Sequence, residues 1–503
     1  MKLKYLIGGV FSVAMLSLAS CGLDYEPFAQ YSDLTEKIDG GGHVLAFKDG
    51  EAATAYRNSM IGSVRNQEYW YQDMMLYSEV RSDNAYGGTT GGEVVPFETN
   101  SVDGGSSVTL RDWNYYMGRI GYANVLIQDI DSVAPDANMS ADQQKQYKAE
   151  ALVFRAMMYF EMVRIWGTAP LRVEVLPDIT EDNIDEVYDK YYPPLSDATT
   201  IYKQIEKDLT DALPYLLDVN QGDKTQLSKG VAHAMLAKVY AEKPLRDYNK
   251  VIEECNTVAA LGYKLNDDYR TMWNYDTKTK DCVRNTPESI LEGQFSAQSG
   301  NWVTWMWGRD LFNWDLMFTW AKWATPSRDL ISAFDAEGDT IRKNQTIVYY
   351  PCTWSNYYPR EHYPFMFKCR SAVNSIIRLR YADIFLLKAE ALIQTGDLEG
   401  GAAIIDQVRA RVGLAKLPAS VRGNKDNMIN ALLKERRLEL AYEGQRWFDL
   451  VRLDKVEEVM NGINSRDEGR LGQRYAFTPD MAVYPIPQTL LDNNDKWVQN
   501  PGY

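Results

Sequence analysis

The sequence predicts a mainly α-helical protein in which paired helices scaffold an irregular, loop-rich half. Three observations carry that reading. Apolar residues recur at helical spacing from about residue 49 to 261, and again from 380 to 453. Within those runs, one helix, a tight turn and a second helix follow each other more than once. Between them, residues 262–375 are rich in aromatics, Gly, Pro and Asn and carry few long periodic runs.

Taken in order, the chain opens on a targeting segment. Lys2 and Lys4 give a positive start, and the apolar run Leu6 to Leu18 is too short to span a bilayer. Leu18-Ala19-Ser20-Cys21 then resembles the cleavage site of a bacterial lipoprotein. Residues 1–20 are expected to be removed as a signal peptide, with Cys21 lipidated on its thiol and its new amine. Acyl chains hold a protein to a bilayer by about 0.8 kcal/mol per buried CH₂, so several chains tether it durably. Residues 21–48 read as a polar tether broken by Pro27 and by Gly40-Gly41-Gly42.

The first helical region spans 49–261. A helix is expected from Asp49 to Glu79, with Tyr69-Trp70-Tyr71 and Met74 to Tyr77 as its apolar clusters, ending at Arg81 to Gly88. Further helices are expected over Trp113–Ile130, Ala141–Trp166, Ile201–Leu217, Lys229–Ala241 and Asp247–Leu261. Ala141–Trp166 is apolar on most faces, which marks a buried helix. Ala232, Ala234, Ala237 and Ala241 make a small-residue stripe against which the next helix can pack closely. The second region, 262–503, begins with the irregular insertion 262–375. Arg380–Ile393, a turn at Gly396-Asp397 and Gly400–Val412 then form another pair. Such pairs, about four of them, resemble the tetratricopeptide repeat, whose units stack and bury a continuous core.

Composition narrows the function. A net charge of −15 argues against neutralising nucleic-acid phosphates and against a basic membrane-surface patch. Tyrosine (33) and tryptophan (13) are abundant and histidine (3) is scarce, a balance that suits surface recognition over acid–base or metal chemistry. No G-x-S-x-G, H-E-x-x-H, P-loop or G-x-G-x-x-G is present, and no C-x-x-C. No catalytic residue, metal or cofactor is therefore expected. Acidic residues are plentiful enough for a glycosidase pair, but nothing singles one out. His233 reads as a packed residue. Beyond Cys21, Cys255, Cys282, Cys352 and Cys369 leave three possible disulfide connectivities or four free thiols.

Two stretches stand out. Asn301 to Trp323 holds six of the thirteen tryptophans. Indole rings fill cores or offer faces for stacking. Trp302, Trp305 and Trp307 lie among Gly300, Asn301 and Gly308, as in a loop. Trp314, Trp320 and Trp323 lie in a helix-like run that suits a core. Trp354 to Tyr358 (WSNYY) is a further aromatic cluster. The other stretch, Leu432–Leu453, reads as one half-buried helix whose arginines pair with carboxylates three or four residues away, in preference to an anion clamp.

Several segments together resemble the SusD/RagB family of outer-membrane nutrient-binding lipoproteins. They are Glu150–Leu171 (EALVFRAMMYFEMVRIWGTAPL), Leu379–Glu390 (LRYADIFLLKAE), Glu435–Leu453 (ERRLELAYEGQRWFDLVRL) and Tyr484–Tyr503 (YPIPQTLLDNNDKWVQNPGY). Cys21, Arg81 to Tyr86 and Thr325 to Arg342 fit the same pattern. The resemblance implies four tetratricopeptide-like units scaffolding a ligand-binding half. It implies a non-catalytic lid on a SusC-like TonB-dependent transporter, anchored in the outer membrane of a Gram-negative cell and facing the medium. The implied ligand is an oligo- or polysaccharide, with peptide or glycopeptide capture as the alternative and a glycan-cleaving enzyme further off. A sugar binder needs aromatic platforms plus planar hydrogen-bonding side chains. The expected ligand contacts are accordingly Arg81, Asp83, Asn84 and Tyr86, then Asn301, Trp302, Trp305, Trp307 and Arg309, and finally Trp354. For Asp83 and Asn84 a helix-ending Asx turn fits the residues equally well.

Overall fold

The computed structural model describes residues 45–89, 91–176, 183–218, 222–302 and 322–503. The signal peptide, Cys21 and most of the tether lie outside them, as do Trp305, Trp307, Arg309, Trp314 and Trp320. Phe47–Tyr503 forms one compact unit.

That unit is mainly helical, as the apolar periodicity predicts. Helix α1, Gly50–Gly62, starts where the Asp49 carboxylate accepts the Ala52 N–H. Helix α2, Ser107–Asp129, is capped by Ser106, so it begins a turn and a half before the first apolar residue that announced it. Helix α3, Ala141–Trp166, opens on a capping box of Ser140 and Gln143. From Ala149 onward nearly all of α3 is buried, including Phe154, Met158, Ile165 and Trp166. Each such side chain contributes roughly 1.5–3 kcal/mol. Its buried charges are paired: Arg155 holds Asp208 by two bonds of 2.8 and 2.7 Å, and Glu150 receives Arg57.

Helix α4, Ala198–Ala212, stops where Pro214 tightens the chain into a 3₁₀ turn. Helices α5, Lys229–Ala241, and α6, Tyr248–Ala260, pack on each other, and Ala232, Ala234, Ala237 and Ala241 of α5 are buried. After the insertion, which contains α7 at Arg328–Glu337, come α8 at Tyr381–Thr395, α9 at Leu398–Ala410, α10 at Lys425–Glu439 and α11 at Arg446–Arg452. Packing runs from neighbour to neighbour: α1 on α2, α2 on α3, α3 on α4, α4 on α5, α5 on α6, α6 on α8, and α8 on both α9 and α10. This is the repeat-like ribbon that the helix pairs predict.

Two expected helices are built differently. The run 49–79 breaks at Asn66, whose side chain accepts the Glu68 N–H, and continues as π-helical turns over Glu68–Asp73 and Leu76–Val80. Trp70, Tyr71, Met74, Met75, Leu76, Tyr77 and Val80 are all buried there, so this segment has no solvent face to preserve. The run 432–453 is two helices, α10 and α11, separated by a turn in which Tyr442 adopts φ 63°. Arg452 pairs with Asp449 three residues back, as expected, while the arginines of α10 pair with carboxylates on other elements. Arg436 bonds Asp383 and Asp449, and Arg437 bonds Asp329. The four cysteines of the unit are buried and form no disulfide among the described residues.

A buried acid pair gives the fold a pH dependence. Asp73 is fully buried and held by Arg111 at 2.6 and 2.9 Å. Asp112, equally buried, faces Asp73 and Tyr77, with Arg111 and Tyr116 nearby. Arg111 also binds Glu93 and Glu68 at the rim. Burial, then the Asp73 charge, pushes the Asp112 carboxyl well above its usual range, and burial pushes Asp73 up to about 6 despite Arg111. The folded state therefore keeps a proton that the unfolded chain releases near pH 4. Stability falls by up to about 1.4 kcal/mol per pH unit as pH rises from there. Asp112→Asn copies the protonated form. Its melting temperature is expected to gain on the wild type steadily between pH 5 and 8, and a pH-independent difference would contradict the assignment.

Candidate functional site

Loops from the N-terminal region, the insertion and the C-terminal segment converge on a single carboxylate. Glu98 is fully buried at the end of a short helix, Val95–Glu98. One oxygen accepts the Gly87 N–H at 2.6 Å and the Tyr357 hydroxyl at 2.7 Å. The other accepts the Leu471 N–H at 2.9 Å. Three segments far apart in sequence, 86–93, 351–362 and 464–475, are thereby fixed to one another. Strand pairing adds a fourth, since Ala85–Tyr86 runs antiparallel to Thr325–Pro326. Gly88 completes the fit with φ +71°: a Cβ there would overlap the Lys322 carbonyl oxygen.

The 351–362 segment joins the paired strands Ile347–Tyr350 and Tyr363–Met366. Ser355 Oγ accepts the Tyr357 and Tyr358 N–H groups, which bends the tip into a turn. Trp354 and Tyr358 remain partly exposed, and Asn356, Arg360 and His362 are exposed. Each partly exposed ring has a cation against it. The Lys322 ammonium lies 3.9 Å from the Trp354 ring centre and donates to the Trp354 carbonyl. The Arg328 guanidinium lies 4.4 Å from that of Tyr358. Cation–π contact of this kind contributes about 0.5–2 kcal/mol and fixes the ring plane. Leu471 and Tyr475, 38% and 50% exposed, lie on the segment that Glu98 ties to this one. The result is a shallow set of flat rings rimmed by amide, hydroxyl and guanidinium groups.

Most of the expected ligand contacts do not lie on that surface. Arg81 is 1% exposed, sandwiched by Trp447 and Tyr484, and donates to the Met481 carbonyl at 2.5 Å and to the Tyr503 hydroxyl. It clamps the C-terminal segment. Asp83 is bound through both oxygens by Arg446, at 2.8 Å each, and by Arg437 at 3.2 Å. Burial opposes its charge, but Arg437 and Arg446 overcome it and hold the carboxyl well below the usual range. Asn84 donates to Glu79 at 2.6 Å and accepts from Arg437 at 2.8 Å. The Tyr86 hydroxyl donates to Asp467 and accepts the Arg328 N–H, while its ring stacks on Tyr357 with centroids 4.5 Å apart. Asn301 is buried and spends its amide on the Ser371 and Asn374 carbonyls. A ligand arriving from solvent cannot reach these five polar groups, because protein neighbours already occupy them. Their role is to hold the loops in place.

Trp302 is half-buried against the main core, its N–H given to Gln67. Trp354 alone among the expected residues within the described structure sits partly exposed on the converging loops. Tyr358, Arg328 and Glu98 join it without having been singled out in the sequence. Tyr358 belongs to the WSNYY cluster, but Glu98 has no local signal at all, since two of its partners lie 259 and 373 residues away. Among the described residues no helix is long and apolar enough to cross a membrane, and no group of acidic, histidine and cysteine side chains is arranged to hold a metal ion.

The whole chain resembles known proteins. Residues 263–503 match the family model described as the SusD family, and residues 29–241 match one described as starch-binding associating with outer membrane. A SusD-like protein P2 of Formosa agariphila is 26% identical over 99% of this chain and 100% of its own length. The crystal structure of a SusD-like protein from Bacteroides fragilis superposes with a TM-score of 0.71 at 21% identity, covering 91% of this chain and 98% of that one. A solved structure described as a laminarin-binding SusD-like protein gives 0.69 at 24% identity, covering 91% and 100%.

Proposed function

Because the chain belongs to the SusD/RagB family, we propose that it is a surface lipoprotein that captures a glycan on the loops around Trp354 and delivers it to a SusC-like TonB-dependent transporter. In this reading residues 1–20 are the signal peptide, Cys21 carries the lipid in the outer membrane, and 21–48 is the tether. The helical region 49–261 and the repeats within 262–503 form the scaffold that meets the transporter. The match to a family described as outer-membrane associated, and the laminarin-binding relative, support glycan capture at a membrane surface.

The observation that carries the reading is the pair of partly exposed rings, Trp354 and Tyr358, each held by a cation, Lys322 or Arg328, against the ring. A pyranose has an apolar face that stacks on such a ring and hydroxyls that meet the polar rim. Trp305, Trp307 and Arg309 are proposed to add to the same surface. Affinity rests on a few stacked rings and should be modest. Binding chemistry alone accounts for the site, so the protein acts without cleaving its ligand.

The lipid-free protein, residues 22–503, is to be tested against a panel of polysaccharides and oligopeptides. Retention of at least one glycan, with no products released, is expected. Retention of peptides and no glycan would overturn the glycan assignment, and release of products would overturn the binding-only role. On the glycan retained, Trp354→Ala is expected to weaken affinity about tenfold, equivalent to about 1.4 kcal/mol. Its melting temperature should stay within about 1 °C, because the ring is not part of a core.

A further inference from the structure

The converging loops hold arginines that lack the carboxylates their buried counterparts have. Arg342, Arg380, Arg411, Arg436 and Arg452 each face at least two acidic side chains. Arg328 faces none within ion-pair distance among the described residues. Its guanidinium lies against the Tyr86 hydroxyl, the Tyr357 carbonyl and the Tyr358 ring, with Asp467 further off already engaged by Tyr86. Gly469 permits this position, since a Cβ there would overlap the guanidinium. Arg328 is thus held at a fixed place beside Tyr358 with donor capacity to spare. Arg360, two residues after Tyr358, is exposed, and its guanidinium bonds the Thr353 carbonyl and no acidic side chain among the described residues. The Arg474 guanidinium, exposed on the neighbouring loop, has the Tyr475 ring as its one contact among the described residues. Glu361 and Glu468 are the exposed acids of these loops, and neither is ion-paired with these arginines among the described residues.

The whole chain carries a net charge of −15 and so repels a polyanion. A neutral glycan gains little from an unpaired guanidinium, whose planar fork of donors matches a carboxylate or a sulfate ester. We propose that the glycan recognised here is anionic, and that Arg328, with Arg360 and Arg474 at the rim, receives its uronate or sulfate groups while Tyr358 and Trp354 stack on its rings. This rests on the glycan-capture reading and narrows it to a substrate class.

The test compares matched polymers by isothermal titration and affinity electrophoresis with the lipid-free protein. Polygalacturonate against its methyl ester probes carboxylates, and a sulfated galactan against its desulfated form probes sulfates. At least one anionic polymer is expected to bind ten times or more tighter than its neutral partner, with affinity falling as salt rises from 50 to 500 mM. Arg328→Gln should remove most of that preference, Arg328→Lys should restore part of it, and Arg360→Gln should reduce it with no change in melting temperature. Binding of a neutral glycan with equal or greater affinity, insensitive to salt, would overturn this inference and leave glycan capture standing. Failure to retain any polysaccharide would instead sink the glycan-capture reading itself.

Discussion

Replacing Glu439 with alanine is expected to lower the melting temperature by about 5 °C. Glu439 ends α10, and its fully buried carboxylate meets three guanidiniums. Arg380 donates at 2.7 Å, Arg342 at 3.2 Å, and Arg411 makes a shorter contact still. Those arginines are 0–3% exposed and are shared with Glu288, Asp339, Glu435 and Glu443. The cluster joins the α8–α10 repeats to the strand beginning at Ser289 and to the helix Thr340–Thr346, so it ties the scaffold to the irregular half. Removing one member of a buried ion pair costs about 3–5 kcal/mol, because the partner charge stays desolvated. Three partners here favour the upper end. A unit of this size unfolds with an entropy near 1 kcal/mol per degree, which turns about 5 kcal/mol into about 5 °C. The sign of the pH dependence is set as well. Burial opposes the charge, but Arg411, Arg380 and Arg342 hold the Glu439 carboxyl far below its usual range. Its contribution is complete above about pH 5 and fades only as pH falls below about 4. Thermal unfolding of the variant at pH 7 and pH 3.5 measures both. A loss under 1 °C at pH 7 would show that the cluster does not hold the two halves together.

Asp83→Ala is the second large effect, expected to lower the melting temperature by about 3–5 °C while leaving glycan affinity within about twofold at 20 °C. The substitution strips Arg446, 7% exposed, of a bidentate partner and leaves the Leu433 carbonyl as its one hydrogen-bond acceptor among the described residues. Arg437 loses one of two carboxylates. Asp83→Asn, which keeps hydrogen-bonding oxygen but no charge, should fall between the two. An Asp83→Ala protein that melts normally yet no longer binds would return Asp83 to the ligand surface.

Asp83 also shows where the sequence is legible and where it is not. The helices were legible because their signals are local. Apolar spacing and flanking breakers give Ala141–Trp166 and Lys229–Ala241 to the residue, and the helix pairs predict the neighbour-on-neighbour packing that is found. The polar cluster Arg81, Asp83, Asn84 and Tyr86 has the composition of a sugar site. It is buried by Arg446, Asp467, Met481 and Tyr503, which arrive from more than 350 residues away and leave no trace in the local pattern. Glu439 misleads for the same reason: its neighbours along α10 suggest i,i+3 and i,i+4 pairs, while its three partners come from other elements. The partial exposure of Trp354 was legible because an aromatic run among Ser, Asn and Pro has no helical or strand period to bury it. Trp305, Trp307 and Arg309 fall outside the described residues, so their share in the surface stays a proposal.

On the proposed function, ligand meets the converging loops and not the repeat helices. Hydrogen–deuterium exchange of the lipid-free protein, with and without the glycan it retains, tests this directly. The expected protection lies in residues 351–362, 84–93 and 464–475, with α5, α6, α8 and α9 unchanged. Protection confined to those helices, with none in 351–362, would contradict the account.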